Sequence, residues 1–140
     1  MCIFAYGQTG SGKTFTIQGS PEKPGLTPKS INEMFDILGT MHDYEINLKC
    51  YMVEIYLSQL RDLLLKPGKK QGELEVKKYP AQQVYIQGVT EVPITTAKEA
   101  LEIFDRGLSQ RKTRATKMND ASSRSHLIFS IIIEVVNKNT

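Results

Sequence analysis

Gly7-Gln8-Thr9-Gly10-Ser11-Gly12-Lys13-Thr14 has the spacing G-x-x-x-x-G-K-[ST] of a loop that cradles phosphate. Each residue type has a separate physical reason to be there. The glycines let the backbone turn tightly and bring its N–H groups close to an anion. A helix opening near Gly12 would point its positive end at the same place. Lys13 can neutralise outer phosphates, and Thr14 can offer a hydroxyl to Mg²⁺. The preceding run Met1-Cys2-Ile3-Phe4-Ala5-Tyr6 reads as a buried parallel strand, the setting such a loop requires.

Beyond the loop, Phe15-Thr16-Ile17 continue a short helix that Gly19, Pro21, Pro24 and Gly25 interrupt. Thr27 as N-cap and Pro28 at the first helical position predict a second helix. Its core face is Ile31, Met34, Phe35 and Leu38. Asp36-Ile37-Leu38-Gly39 has the form D-x-x-G but lies inside this amphipathic helix, so it is set aside as coincidence. Residues 45–56 read as a long central strand, with Ile46, Leu48, Cys50 and Met52 on one face and Tyr51, Val53 and Ile55 on the other. A turn of helix is expected around Leu60-Arg61-Asp62-Leu63-Leu64. A loop from Lys66 to Gly72 then leads to two short strands, Leu74–Lys77 and Val84–Gln87, joined by a turn containing Pro80. Thr90 to Thr95 is a further extended piece. Thr96-Ala97-Lys98-Glu99 is a capping box. The helix it opens buries Ala97, Ala100, Leu101, Phe104 and Leu108 and runs into the basic patch Arg111, Lys112, Arg114 and Lys117. A last strand spans Leu127 to Val136. Strands and helices alternate, which predicts an α/β domain: a mixed central sheet flanked by helices, with the loop strand central and a small β-hairpin lobe.

The chain's 140 residues suffice for one domain with a core. With 40% hydrophobic and 24% charged residues, the composition is that of a globular protein. A net charge of +3 is too mild to demand a nucleic-acid partner, and no apolar run is long enough to span a membrane. Cys2 and Cys50 lie far apart in apolar stretches and read as reduced core residues of a cytosolic protein. The N-terminus lacks the basic and apolar regions of a secretory signal. Apolar strands at both ends predict that the chain is cut from something longer.

A second polar cluster, Asn119-Asp120-Ala121-Ser122-Ser123-Arg124-Ser125-His126, stands just before the last strand. Its hydroxyls could reach Mg²⁺ or phosphate oxygens, and Arg124 could balance transition-state charge. Equally, the serines could cap backbone groups of a loop.

Taken together, Phe4-Ala5-Tyr6 with Gly7 to Thr14, and Asn119 to His126 in the form N-x-x-S-S-R-S-H, resemble the nucleotide loop and first switch of the kinesin motor domain. Gly25-Leu26-Thr27-Pro28, Tyr51 to Tyr56, Arg61-Asp62-Leu63-Leu64 and Thr116-Lys117-Met118-Asn119 also fall where kinesin segments fall. The wording is most similar to the C-terminal-motor, minus-end-directed kinesins, and among them to the calmodulin-binding type. The resemblance implies a P-loop NTPase-type fold and an ATP-dependent microtubule motor of the cytoplasmic cytoskeleton. It implies ATP and Mg²⁺ as cofactors, held by Gly7, Gln8, Thr9, Gly10, Ser11, Gly12, Lys13 and Thr14, with Phe15 near the adenine. It implies Asn119, Ser122, Ser123 and Arg124 as the catalytic group and Thr14 and Ser123 as the metal ligands. Tubulin would be met by Lys66, Lys69, Lys70, Lys77 and Lys78, though a charge cluster of this kind is also an ordinary solvated face.

The family's second switch, D-x-x-G-x-E, would follow the last strand, and its adenine-clasping segment would precede Met1. Residues 1–140 are therefore expected to form a partial motor head, the nucleotide loop through the first switch and its strand. Coiled coil, neck and any calmodulin contact belong to other parts of the parent. By themselves these residues are expected to be poorly stable and inactive in hydrolysis. The competing readings are a kinesin-like protein that binds nucleotide or microtubules without hydrolysis, and a GTPase or small-molecule kinase. For the latter, Asn137-Lys138-Asn139-Thr140 is close to N-K-x-D, but Thr140 stands where the aspartate must be.

Overall fold

Residues 44–56 carry apolar side chains on both faces in their second half, so the strand they form belongs inside a sheet and not at its margin. The computed structural model describes residues 1–79, 84–117 and 124–139, leaving out the side chains of 115–117. In it β1 (Tyr44–Tyr56) is the centre of a four-stranded sheet. On one edge β1 pairs with β2 (Gln59–Asp62) and, further along, with β5 (Val92–Ile94). On the other edge it pairs along its whole length with β6 (Ser125–Asn137), from Tyr44↔Asn137 to Tyr56↔Ser125. A separate two-stranded ribbon joins β3 (Glu75–Lys78) to β4 (Val84–Gln87). Among the described residues every pairing of named strands is antiparallel.

The helices are α1 (Lys13–Ile17), α2 (Leu26–Gly39) and α3 (Ala97–Lys117). Alternation along β1 turns Ile46, Leu48, Cys50 and Met52 to one side. There Ile31 of α2 and Ala100 of α3 join Leu48, Cys50 and Ile94 in one buried cluster. Phe104 of α3 joins Met52, Leu63 and Leu64 in the next, with Phe129 of β6 edge-on to Phe104 at 5.1 Å. On the opposite side of β1, Val53 is fully buried. The capping box forms as read. Glu99 N–H donates to Thr96 Oγ1 (3.2 Å), and Glu99 Oε2 accepts from Thr96 N (3.3 Å). The same Oε2 also accepts from Thr95 N (2.7 Å) and Thr95 Oγ1 (2.8 Å).

Four expectations need correction. Met1 to Tyr6 forms no strand. Its side chains face solvent, with Phe4 at 79% and Tyr6 at 96% exposure, so it is not the centre of the sheet. An apolar run becomes a strand only where a ladder partner meets it, and here β1 takes the central place instead. Cys2 is likewise exposed, and only Cys50 belongs to the core. The second helix begins at Leu26 with Gly25 as N-cap, not at Thr27. Gly25 N–H is already engaged by the Gln18 carbonyl (3.2 Å), which fixes the entry, and Pro28 is tolerated because first-turn N–H groups have no partner inside a helix. The stretch expected as a turn of helix is instead β2 over Gln59–Asp62, running on into buried Leu63 and Leu64. Leu57 (φ 45°) and Ser58 (φ 65°) make the tight reversal between β1 and β2, with Tyr56 opposite Gln59. Left-handed conformation at both central residues is the signature of a type I′ hairpin turn. The turn expected at Pro80 lies outside the described residues.

Candidate functional site: the glycine loop and the polar end of the sheet

Three glycines of the loop adopt positive φ: Gly7 (154°), Gly10 (83°) and Gly12 (93°). At Gly10 and Gly12 that conformation would strain any L side chain. The loop is tied internally, with Ser11 N–H donating to the Gln8 carbonyl (3.1 Å). Lys13 folds back over it, its Nζ donating to the carbonyls of Gly7 (2.6 Å) and Gln8 (2.8 Å). Gly12 is the N-cap of α1 and makes no side-chain cap bond, so α1's first-turn N–H groups are left to point out of the helix. Thr16 instead bonds backward, N–H and Oγ1 both to the Gly12 carbonyl (2.9 and 3.0 Å). Gly10, Gly12 and Thr14 are exposed, and a Cβ added at Gly10 or Gly12 would meet nothing within 4 Å. Backbone donors, an ammonium and a threonine hydroxyl therefore stand together on an open turn, a donor set that suits a polyphosphate with its cation. Phe15 is 58% exposed beside it.

The second half of the expected site falls mostly outside the description. Asn119, Ser122 and Ser123 are among the residues not described, and so their approach to the loop is not described either. Arg124 is exposed, immediately before β6, and makes no hydrogen bond or ion pair with residues 7–15 among the described residues. Two grooves at the helix–sheet surfaces lie away from the loop, one beside Phe35, Ile46 and Ile94 and the other beside Met1, Met34 and Ile133.

Where β6 begins, the structure holds a polar cluster that the sequence reading passed over. Glu54 of β1 is 3% exposed, a carboxylate inside the protein. Arg111 of α3 donates from Nε to Glu54 Oε1 (3.1 Å) and from Nη2 to Ser125 Oγ (2.9 Å). Arg61 of β2 approaches the other carboxylate oxygen at 3.9 Å and lies over the Tyr56 ring at 4.3 Å. A buried carboxylate is tolerable only with such partners. In sequence Arg111 belongs to the basic patch of α3, yet its guanidinium turns inward to Glu54. Its four-residue spacing from Gly107, a glycine packed on Met52, was the available sign that this face of α3 meets the sheet.

The five lysines of the lobe are all exposed. Lys77 has a partner on its own strand, Glu75 at 3.1 Å. The lobe is held by stacking of Tyr79 on Tyr85 at 4.2 Å. Its stem is held by Asp62, whose buried carboxylate accepts from Leu64 N (2.9 Å) and Thr90 N (2.7 Å). The Gln71 side chain completes the edge of β2, accepting from Asp62 N (2.8 Å) and donating to the Leu60 carbonyl (2.9 Å). Side-chain amides used this way blunt an exposed sheet edge.

An antiparallel sheet with helices on its core face and a glycine loop opening a short helix defines a mixed α/β domain of the motor-head type. The chain belongs to the kinesin motor domain family, which it matches over residues 1–140. It is 48% identical to kinesin-like protein KIN-14E of Arabidopsis thaliana and 50% identical to kinesin-like protein KIN-14I of Oryza sativa subsp. japonica, over 100% of this chain in both cases. It spans 11% of the length of each. Among solved structures, a fast kinesin, described with its ATPase mechanism and interactions with microtubules, superposes with a TM-score of 0.85 at 35% identity. That match covers 97% of this chain and 39% of the other. These relatives agree with the resemblance to C-terminal-motor kinesins drawn from the residues.

Proposed function

We propose that this chain is the nucleotide-binding part of an ATP-driven microtubule motor. The observation that carries the reading is the conformation of Gly7 to Thr14: positive φ at three glycines, an N-cap without a side-chain cap and Lys13 folded over the turn. Gly7, Gln8, Thr9, Gly10, Ser11, Gly12, Lys13 and Thr14 would enclose the phosphates, with Phe15 against the base. Thr14 and Ser123 would hold Mg²⁺, whose charge neutralises the phosphate oxygens when it is bound. Asn119, Ser122, Ser123 and Arg124 would close on the terminal phosphate, so that its presence or loss is felt at the start of β6. In this reading the parent protein works on microtubules in the cytoplasm.

Residues 1–140 by themselves are proposed to be a partial motor domain that binds nucleotide without useful turnover. Supporting this, the run Met1 to Tyr6 leading into the loop is exposed and unpaired among the described residues. A loop without a rigid base cannot hold reacting groups to the tolerance that phosphoryl transfer needs. The test is titration of a fluorescent Mg-ADP into the 140-residue chain, followed by phosphate release from ATP with and without microtubules. Saturable binding and negligible release are expected. Absence of binding would overturn the nucleotide reading, and strong microtubule-stimulated release would overturn the inactivity.

The lobe lysines, Lys66, Lys69, Lys70, Lys77 and Lys78, are proposed to meet the acidic tubulin surface. Their exposure supports this, and Lys77 contributes least because Glu75 already pairs it. Cosedimentation with microtubules should weaken steeply as salt rises.

A further inference from the structure

Arg111 of α3 hydrogen-bonds both the central strand β1 and the first residue of β6. Its Nε lies 3.1 Å from Glu54 Oε1 and its Nη2 lies 2.9 Å from Ser125 Oγ. Glu54 is a poor place to lose a partner, because its side chain is 4% exposed. The two hydrogen bonds use the planar fork of a guanidinium, and a lysine ammonium cannot span both acceptors in that geometry. Ser125 adjoins Arg124, so whatever fixes Ser125 fixes the point from which Arg124 leaves the sheet. Arg61 reaches the second oxygen of the same carboxylate, at 3.9 Å, from the β1–β2 hairpin.

We propose that Arg111 is a positioning residue for the phosphate-sensing segment: by bridging Ser125 to the buried Glu54 it sets where Arg124 stands relative to the sheet. The inference rests on the reading of residues 119–124 as that segment. It has three structural parts. Glu54 supplies a fixed negative anchor in β1. Arg111 carries that anchor across to β6. Ser125 receives it through a hydroxyl, a bond that Ser125→Ala removes without disturbing the ion pair beneath. Both the end of α3 and the start of β6 are then referenced to one atom group in the centre of the sheet.

Amide hydrogen exchange on the 140-residue chain, without nucleotide, tests the bridge. A hydrogen bond to a charged group is strong enough that its loss in Ser125→Ala should speed exchange at residues 125–127 about tenfold. Exchange at residues 50–53 and the melting temperature should stay as in the parent. Ser125→Thr, which keeps the hydroxyl, should behave as the parent, whereas Arg111→Lys should speed exchange at 125–127 as Ser125→Ala does and also lower the melting temperature, because it disturbs the buried Glu54 pair. Unchanged exchange at 125–127 in Ser125→Ala, or an equal rise at 50–53, overturns the bridge. The functional arm compares a non-hydrolysable Mg-ATP analogue with Mg-ADP. Ser125→Ala should lower the preference for the analogue about fivefold and leave ADP affinity unchanged, as expected when a positioning contact and not the loop is lost. A parallel loss for both nucleotides overturns the positioning role. Failure of the parent to bind either nucleotide refutes the nucleotide reading, and with it the sensing role of Arg111.

Discussion

The ammonium of Lys13 lies 2.6 Å from the carbonyl oxygen of Gly7, so the loop's own cation closes its two ends together. The contact places a positive charge over the turn before any ligand is considered. It also means that a polyphosphate entering the loop would compete with backbone carbonyls for that ammonium.

Lys13→Ala removes the counter-charge and the staple at once. Charge-assisted hydrogen bonds contribute on the order of 1.5–3 kcal/mol, so Mg-ADP affinity should fall by about tenfold to a hundredfold. The melting temperature should hardly move, because among the described residues Lys13 bonds the loop carbonyls and lies outside the core clusters. Fluorescence titration alongside a thermal melt separates the two effects.

Glu99 gives the fold a dependence on acid. Its carboxyl is held below the usual range, first by the Thr95 backbone N–H, then by the Thr95 hydroxyl, with a smaller contribution from the Thr96 N–H and burial opposing. A group whose folded pKa is depressed stabilises fully above its unfolded pKa, here about 4.5, and loses that contribution as pH falls through the folded value. Melting temperatures of the parent and Glu99→Gln should therefore differ at pH 7 and converge well below pH 4.5. A constant gap across that range would show that the charge is not what the cap uses.

The two thiols should separate cleanly. Burial raises the Cys50 thiol to about 11, partly offset by Arg106, while Cys2 is exposed. The thiolate is the reactive form, so a thiol reagent at pH 8 should label one cysteine in the native chain and both in denaturant. Fast native labelling of Cys50 would mean that the core cluster around Leu48 and Ile94 opens readily.

Gly107→Ala is expected to destabilise despite the better helix propensity of alanine. A Cβ at 107 would land on the Met52 sulfur, and Met52 is fully buried in the core, so the thioether would have to shift against its neighbours. Overpacking costs about 1–3 kcal/mol, against a propensity gain of about 1 kcal/mol. Chemical denaturation should show a net loss in Gly107→Ala, and the double variant with Met52→Ala should recover part of the packing strain.

Much of this fold was legible because periodicity and caps agreed with it. The alternation of Ile46, Leu48, Cys50 and Met52 located β1, and Thr96 with Glu99 located the start of α3. The errors have physical causes. Leu60, Leu63 and Leu64 repeat at helical spacing, yet they follow a reversal at Leu57 and Ser58 that contains no glycine, asparagine or aspartate to announce it. Met1 to Tyr6 has the composition of a strand, but pairing is a property of neighbours and not of composition. At the candidate site, the glycine spacing located a turn with positive φ at Gly7, Gly10 and Gly12. The Glu54–Arg111–Ser125 bridge was hidden, because residues far apart in sequence meet there and no short pattern announces them.

The reversal at Leu57 and Ser58 leaves unused headroom. Both residues sit in a backbone region where side chains other than glycine and asparagine are uncomfortable, and Leu57 is 59% exposed with no core to reward it. Writing Asn-Gly at these positions would relieve the discomfort without altering a buried contact. The domain could thus be made hardier from its rim inward, leaving the glycine loop and the polar cluster as they stand.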